Sequence, residues 1–217
     1  MNKQDILSRI DSTLLKQTAT SQQICALCEN AINNRFAAVC VQPCYVPLCA
    51  KWLNGSPVKV ATVIGFPMGA NTTAVKAFEA ADAVRNGADE LDMVINIGLA
   101  TEGNWAAVRD DIAAVVEASA GKCVKVIIET CFLNQEQIRL ACLAAADAGA
   151  QYVKTSTGMA AGGATEENVR LMKQTVTGRC RVKAAGGIRT LEDCKRMLQA
   201  GADRIGTGSA AAIAEEA

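Results

Sequence analysis

The chain has 217 residues, half of them hydrophobic and a fifth charged, with Lys plus Arg equal to Asp plus Glu at 22 each. That length suits one large α/β domain with a sizeable core. The balanced charge argues against nucleic acid or an anionic membrane as a partner, no apolar run reaches the ~18 residues of a membrane span, and residues 1–7 lack an apolar signal core, so a cytoplasmic protein is expected.

In chain order, a short strand is predicted near 11–15, a helix over 21–34, and strands at 36–41 and 58–66. Helices then alternate with strands: 73–85 before 91–95, 104–120 before 124–130, 134–148 before 152–155, 165–175 before 181–185, and 191–200 before 204–206. Asn134 is a predicted N-cap with Gln137 in a capping-box position, and Thr165 is followed by Glu166 and Glu167, which suit a positive helix start. One plan repeats three times, at 80–92, 142–154 and 194–206: an Ala-rich helix ends in Gly-Ala and a short strand follows at once. Eight strands alternating with helices predict a closed (β/α)8 barrel, the TIM-barrel architecture, spanning 1–217 as a single domain. An open flavodoxin-like or Rossmann sheet is the alternative. It is weakened because no GxGxxG opens a helix and no Walker loop exists.

The composition narrows the chemistry. There is no histidine, so acid–base work at neutral pH falls to carboxylate, lysine, tyrosine, cysteine or water. The ten cysteines are scattered, and Cys25-Ala-Leu-Cys28 is a lone CxxC, so they read as reduced core residues and zinc is not expected; with no dinucleotide or P-loop motif, no cofactor is expected either.

In a barrel, chemistry gathers at the C-terminal ends of the strands. Asp11, Cys40, Phe66-Pro67, Asp92 with Asn96, Glu129-Thr130, Lys154, Lys183 and the Gly206-to-Ser209 run are predicted there. Lys59 and Lys125 fall near strand starts and are expected to serve the opposite, structural face. Lys154 and Lys183 would come from neighbouring strands, bringing their ammonium groups to about 5 Å. At an effective dielectric near 20 the repulsion is roughly 3 kcal/mol, about two pKa units, and burial pushes the same way. One lysine then becomes a neutral nucleophile, unless both simply pair with a carboxylate such as Asp92. Asp92 is expected inside the barrel, as a proton relay, a counter-ion or both. The glycine clusters at Gly186-Gly187 and Gly206-Thr-Gly208, with Ser209, predict a phosphate cradle. Arg189 is a candidate anion clamp, and Gly158 with Gly162-Gly163 a closing loop.

These residues resemble the deoxyribose-phosphate aldolase family. The resemblance runs over nearly the whole chain: Asp-Ser-Thr-Leu-Leu at 11–15, Val-Cys-Val at 39–41, Gly-Phe-Pro at 65–67, Gly-Ala-Asp-Glu-Leu-Asp-Met-Val at 87–94, Lys-Val-Ile-Ile-Glu-Thr at 125–130, Val-Lys-Thr-Ser-Thr-Gly at 153–158, and Val-Lys-Ala-Ala-Gly-Gly-Ile-Arg-Thr at 182–190. It implies a metal-free class I aldolase that cleaves 2-deoxy-D-ribose 5-phosphate reversibly to glyceraldehyde 3-phosphate and acetaldehyde. Lys154 would form the Schiff base, Lys183 would perturb it, and Asp92 would move protons with Lys183 through water. Phosphate contacts are implied for Gly158, Gly186, Gly187, Gly206, Gly208 and Ser209, and substrate-hydroxyl contacts for Asp11, Thr13 and Cys40. A homodimer is the family-level expectation. Three departures stand out: Ser12 where many members carry histidine, Met159 where some carry lysine, and an end at Ala217 without the C-terminal tyrosine of some relatives. The alternatives are another lysine-dependent phosphosugar lyase or isomerase barrel, or a catalytically silent phosphosugar-binding barrel.

Overall fold

Gly87, Gly149 and Gly201 each follow a helix C-cap with φ of 104°, 85° and 114°. At the first, the Ala88 amide reaches back to the Ala83 carbonyl, and Ala150 and Ala202 do the same to Ala145 and Met197. The helix is thereby stopped and the chain turned inward at the same point three times, which is why a strand can begin three residues after each glycine. The computed structural model describes residues 2–216, so the reading attached to the chain's end at Ala217 lies outside the described residues.

The first half of the chain forms α1 (Lys3–Leu7), β1 (Ile10–Leu14), α2 (Ser21–Asn34), β2 (Ala38–Val41), α3 (Val46–Trp52), β3 (Lys59–Ile64), α4 (Thr73–Arg85) and β4 (Glu90–Val94). The second half forms α5 (Ile97–Thr101), α6 (Trp105–Ala118), β5 (Cys123–Ile127), α7 (Gln135–Asp147), β6 (Tyr152–Lys154), α8 (Glu166–Val176), β7 (Arg181–Ala185), α9 (Leu191–Gln199), β8 (Arg204–Thr207) and α10 (Ala210–Glu216). All strands pair in parallel in the order β1 to β8, and β8 closes on β1 with Ile10 opposite Ile205 and Asp11 opposite Gly206. The (β/α)8 expectation holds, with short loops keeping the chain below the usual length of that barrel. The predicted capping box of Asn134 and Gln137 forms, and the Thr165 hydroxyl also caps α8. No helix among the described residues is long and apolar enough to cross a membrane.

The two faces of the strands differ in chemistry. Outward residues such as Val39, Leu91, Val126, Val153, Val182 and Ile205 pack under the helices as one apolar core. Inward residues divide the barrel interior in half. On the β1–β3 side, Leu15, Ala38, Cys40, Ala61 and Val63 form a separate apolar cluster. The other side is charged: Asp11, Glu90, Asp92, Lys125, Lys154, Lys183 and Arg204 interlock across it. Charges cluster there only because each has an opposite partner; an isolated ion would be too costly to dehydrate.

Candidate active site

Asp92 is fully buried and organises the charged half. Its Oδ2 accepts from Lys154 Nζ and Lys183 Nζ, both at 2.7 Å, and its Oδ1 accepts from Lys125 Nζ at 2.7 Å. Since both ammonium nitrogens touch one oxygen, Lys154 and Lys183 are neighbours, no farther apart than twice that contact. Lys183 also donates to Asp11 Oδ2, while Arg204 bridges Asp11 Oδ1 at 2.7 Å and Glu90 Oε1 at 3.1 Å. Burial pushes Asp92 up, but Lys125, Lys154 and Lys183 outweigh it and hold the carboxyl well below the usual carboxylate range. Asp11 is likewise lowered, against its burial, by Lys183, Lys125 and Arg204.

The three lysines are not equivalent. Burial pulls Lys154 below the ordinary lysine value; Asp92 opposes the drop and Lys183 adds to it. For Lys183, burial is overcome by Asp11 and Asp92 and the value rises. Lys125 is raised further, against burial, by Asp92, Asp11 and Glu90. The count of charges gives the same order. Lys125, Lys154, Lys183 and Arg204 face Asp11, Glu90 and Asp92, one cation in excess. A dry interior tolerates neutrality best, and the excess is removed by one proton leaving Lys154, the lysine with the single carboxylate partner.

Lys125 corrects an expectation. It does not serve a separate structural face: β5 begins at Cys123, the register sets Lys125 opposite Asp92, and the side chain is fully buried within the network, 2.6 Å from Glu90 Oε2. Inward–outward alternation along Cys123–Ile127 carried that signal. Lys59 does lie at the exposed start of β3.

Lys154 reaches the floor of a cavity of about 440 Å³. Thr13, Leu14, Leu15 and Lys16 line one side, Thr157, Gly158 and Met159 another, and the segments 185–189 and 206–209 the rest. Gly158, Gly186, Gly187, Gly206, Gly208, Ser209, Arg189 and Thr13 therefore share one cavity, with Lys154 beneath them. Asp11 and Cys40 do not line it. Asp11 lies lower in the barrel, and Cys40 is fully buried in the apolar cluster, its thiol pushed up to about 11 by burial and by Asp92. The amides of Gly158, Gly187 and Gly208 donate to nothing within the described residues, which leaves them free for an anion. A Cβ at Gly163 would stand 2.4 Å from the Gly186 carbonyl oxygen, so the loop after β6 is laid against the loop after β7 backbone to backbone. A Cβ at Gly206 would press at 3.0 Å on Lys183 Cε, so glycine there leaves room for the lysine.

The sequence reading also missed what holds the loop after β6. Glu129 adopts a left-handed backbone, φ 49°, just past β5. Its buried carboxylate accepts the Thr157 amide at 3.2 Å and the Thr157 hydroxyl at 2.5 Å, and that hydroxyl accepts the Met159 amide at 3.0 Å. The turn bearing Gly158 is thus tied to β5. A second cavity, of about 480 Å³, opens on the opposite face around Gln151, Lys173, Arg179 and Arg181. There Lys173 and Arg179 are paired with Asp203 and Asp147, and no candidate nucleophile of the kind found at Lys154 faces it.

A family model described as DeoC/LacD family aldolase matches residues 6–212. The deoxyribose-phosphate aldolase of Streptococcus equi subsp. zooepidemicus is 55% identical over 94% of this chain and 93% of its own length. That of Thermotoga maritima is 53% identical, over 98% of this chain and 86% of its own. A solved structure described as a unique tetrameric deoxyribose phosphate aldolase from Aeropyrum pernix superposes with a TM-score of 0.93 at 34% identity, covering 99% of this chain and 91% of that one.

Proposed function

The chain belongs to the DeoC/LacD aldolase family, and from that premise we propose that it is a class I aldolase cleaving 2-deoxy-D-ribose 5-phosphate reversibly to D-glyceraldehyde 3-phosphate and acetaldehyde. The observation that carries the reading is the Lys154 amine at the cavity floor, sharing Asp92 Oδ2 with Lys183. The neutral amine adds to the substrate aldehyde, and loss of water gives an iminium. The iminium accepts the electrons of the breaking C2–C3 bond and becomes an enamine, while the proton of the 3-hydroxyl leaves through water to the Asp92–Lys183 pair. Glyceraldehyde 3-phosphate departs. Protonation of the enamine carbon and addition of water then release acetaldehyde and restore the amine.

The glycine loops hold the phosphate, remote from the reacting bond, so binding energy orients the sugar without touching the chemistry. Thr13 is at hand for a sugar hydroxyl. Asp11 acts from below by holding Lys183, and Cys40 packs with Leu15 in the apolar cluster outside the cavity. A phosphorylated sugar does not cross membranes unaided, which supports a cytoplasmic location beside the source of its substrate. Assembly into homodimers completes the reading; exposed Met68, Val75 and Phe78 offer apolar surface for it.

The test is acetaldehyde with borohydride. A reduced ethyl adduct mapped to Lys154, and its absence in Lys154→Arg, is the expected result. An isomerase or a silent phosphosugar binder would bind deoxyribose phosphate and yield no adduct.

A further inference from the structure

We propose that Lys16 is the cation that receives the substrate's phosphate, and thereby sets the preference for phosphorylated over unphosphorylated aldols. This rests on the aldolase reading and deepens it. A phosphate monoester carries about −1.5 to −2 charge at neutral pH. The glycine loops offer it free amides, which are dipoles without net charge. Among the residues lining the cavity there is no carboxylate; Lys154 at the floor is the amine nucleophile held by Asp92, and the cations are Lys16 and Arg189 above it. Met159, half exposed on another side of the cavity, contributes no charge.

Lys16 is the better placed of the two upper cations. It follows β1, which pairs with β8, and a Cβ at Gly208 would already touch the Thr13 carbonyl at 3.4 Å. The β1 end and the Gly206-to-Ser209 loop are therefore in direct contact, with Lys16 on the cavity wall beside them. Its backbone is fixed: the Leu15 carbonyl accepts from Gln42 Nε2 at 3.0 Å, and the Lys16 carbonyl accepts the Ala19 amide at 3.1 Å. Its ammonium, by contrast, makes no ion pair or hydrogen bond among the described residues, so no protein carboxylate must be displaced before it meets an anion. Arg189 differs, because its own amide donates to Asp193 at 3.0 Å, setting a carboxylate close by. A lysine is suited to a phosphate as a mobile point charge.

The experiment compares wild type, Lys16→Met and Lys16→Arg on 2-deoxyribose 5-phosphate and on unphosphorylated 2-deoxyribose, with inorganic phosphate as a competing anion. In Lys16→Met, kcat/KM for the phosphorylated sugar is expected to fall about 10–100-fold, the worth of one hydrogen bond to a charged group, mainly through KM. The inhibition constant of inorganic phosphate rises in parallel, the unphosphorylated sugar loses less than threefold, and Lys16→Arg recovers most of the loss. Equal losses on both sugars, or an unchanged KM for the phosphorylated one, overturn the proposal. Borohydride trapping of acetaldehyde at Lys154, which involves no phosphate, reports separately on the aldolase reading: a missing wild-type adduct sinks that reading, not the anion site alone.

Discussion

Replacing Lys183 by methionine removes one cation from beside Lys154 while keeping a chain about as long as the lysine stem. Both nitrogens lie 2.7 Å from Asp92 Oδ2, so they stand about 5 Å apart, and at an effective dielectric near 20 their repulsion is about 3 kcal/mol. Its loss raises the Lys154 pKa, because Lys183 is one of the groups that lower it. The charge count agrees: Lys125, Lys154 and Arg204 would then face Asp11, Glu90 and Asp92 in balance with Lys154 fully protonated. Imine formation with acetaldehyde alone isolates this effect from proton transfer in the cleavage step. The pH profile of borohydride-trapped label at Lys154 should shift upward, and the roughly 3 kcal/mol corresponds to labelling at pH 7 slowed about 100-fold. An unshifted midpoint would refute the claim that the neighbouring cation prepares the amine. The lowered Lys154 value has its own thermodynamic sign. Between the folded and unfolded values the unfolded chain holds more protons, so this residue's contribution to stability improves as pH rises through that window.

Acid should act through the opposite sign. Asp11 and Asp92 are depressed in the folded state, so their stabilisation is present above the ordinary carboxylate range and is lost as pH falls below about 4; circular dichroism showing flat stability from pH 5 to pH 3 would contradict this. Away from the cavity, fully buried Lys76 donates to Asp111 Oδ2 at 2.6 Å and to the Val94 carbonyl at 3.0 Å. Lys76→Met should cost about 3–5 kcal/mol in urea unfolding by stranding Asp111, and adding Asp111→Leu should restore part of it; a single-variant cost below about 1 kcal/mol would show the pair to be solvated. Iodoacetamide at pH 8 should modify exposed Cys44 and Cys131 first and leave Cys40 untouched in the native protein, read by peptide mass mapping; early labelling of Cys40 would mean its pocket opens to solvent.

The alternation of strand and helix was legible because long periodic segments and three Gly-Ala stops agree with the fold. What escaped were α1, α3, α5 and α10, each five to seven residues long. Helices that short have little propensity of their own and form because the barrel packs them. α3 is further hidden by Pro47 near its start, within a proline-bearing segment that reads as loop. Lys154, Lys183 and Asp92 stood out as charges on apolar strands. Lys125 had the same signature, yet its depth in the barrel follows from the stagger between β4 and β5, which pairs it with Asp92. That stagger is a property of two strands, and neither strand's sequence states it. Glu129 and Lys16 left weaker traces: one acts through an unusual backbone turn, the other stands in a loop without the glycines that advertise an anion site.

Asp11 is among the first residues of the barrel to be synthesised, and its partners Lys183 and Arg204 lie 172 and 193 positions downstream. A nascent chain that has made β1 to β6 holds Asp11, Glu90 and Asp92 against only Lys125 and Lys154. That surplus of negative charge keeps water between the strands, because expelling it would strand an anion. The last two strands therefore bring the counter-charges as well as the closing hydrogen bonds, and drying of the interior coincides with completion of the ring. Truncated chains ending before residue 181 should remain swollen and protease-sensitive however favourable their outer apolar faces.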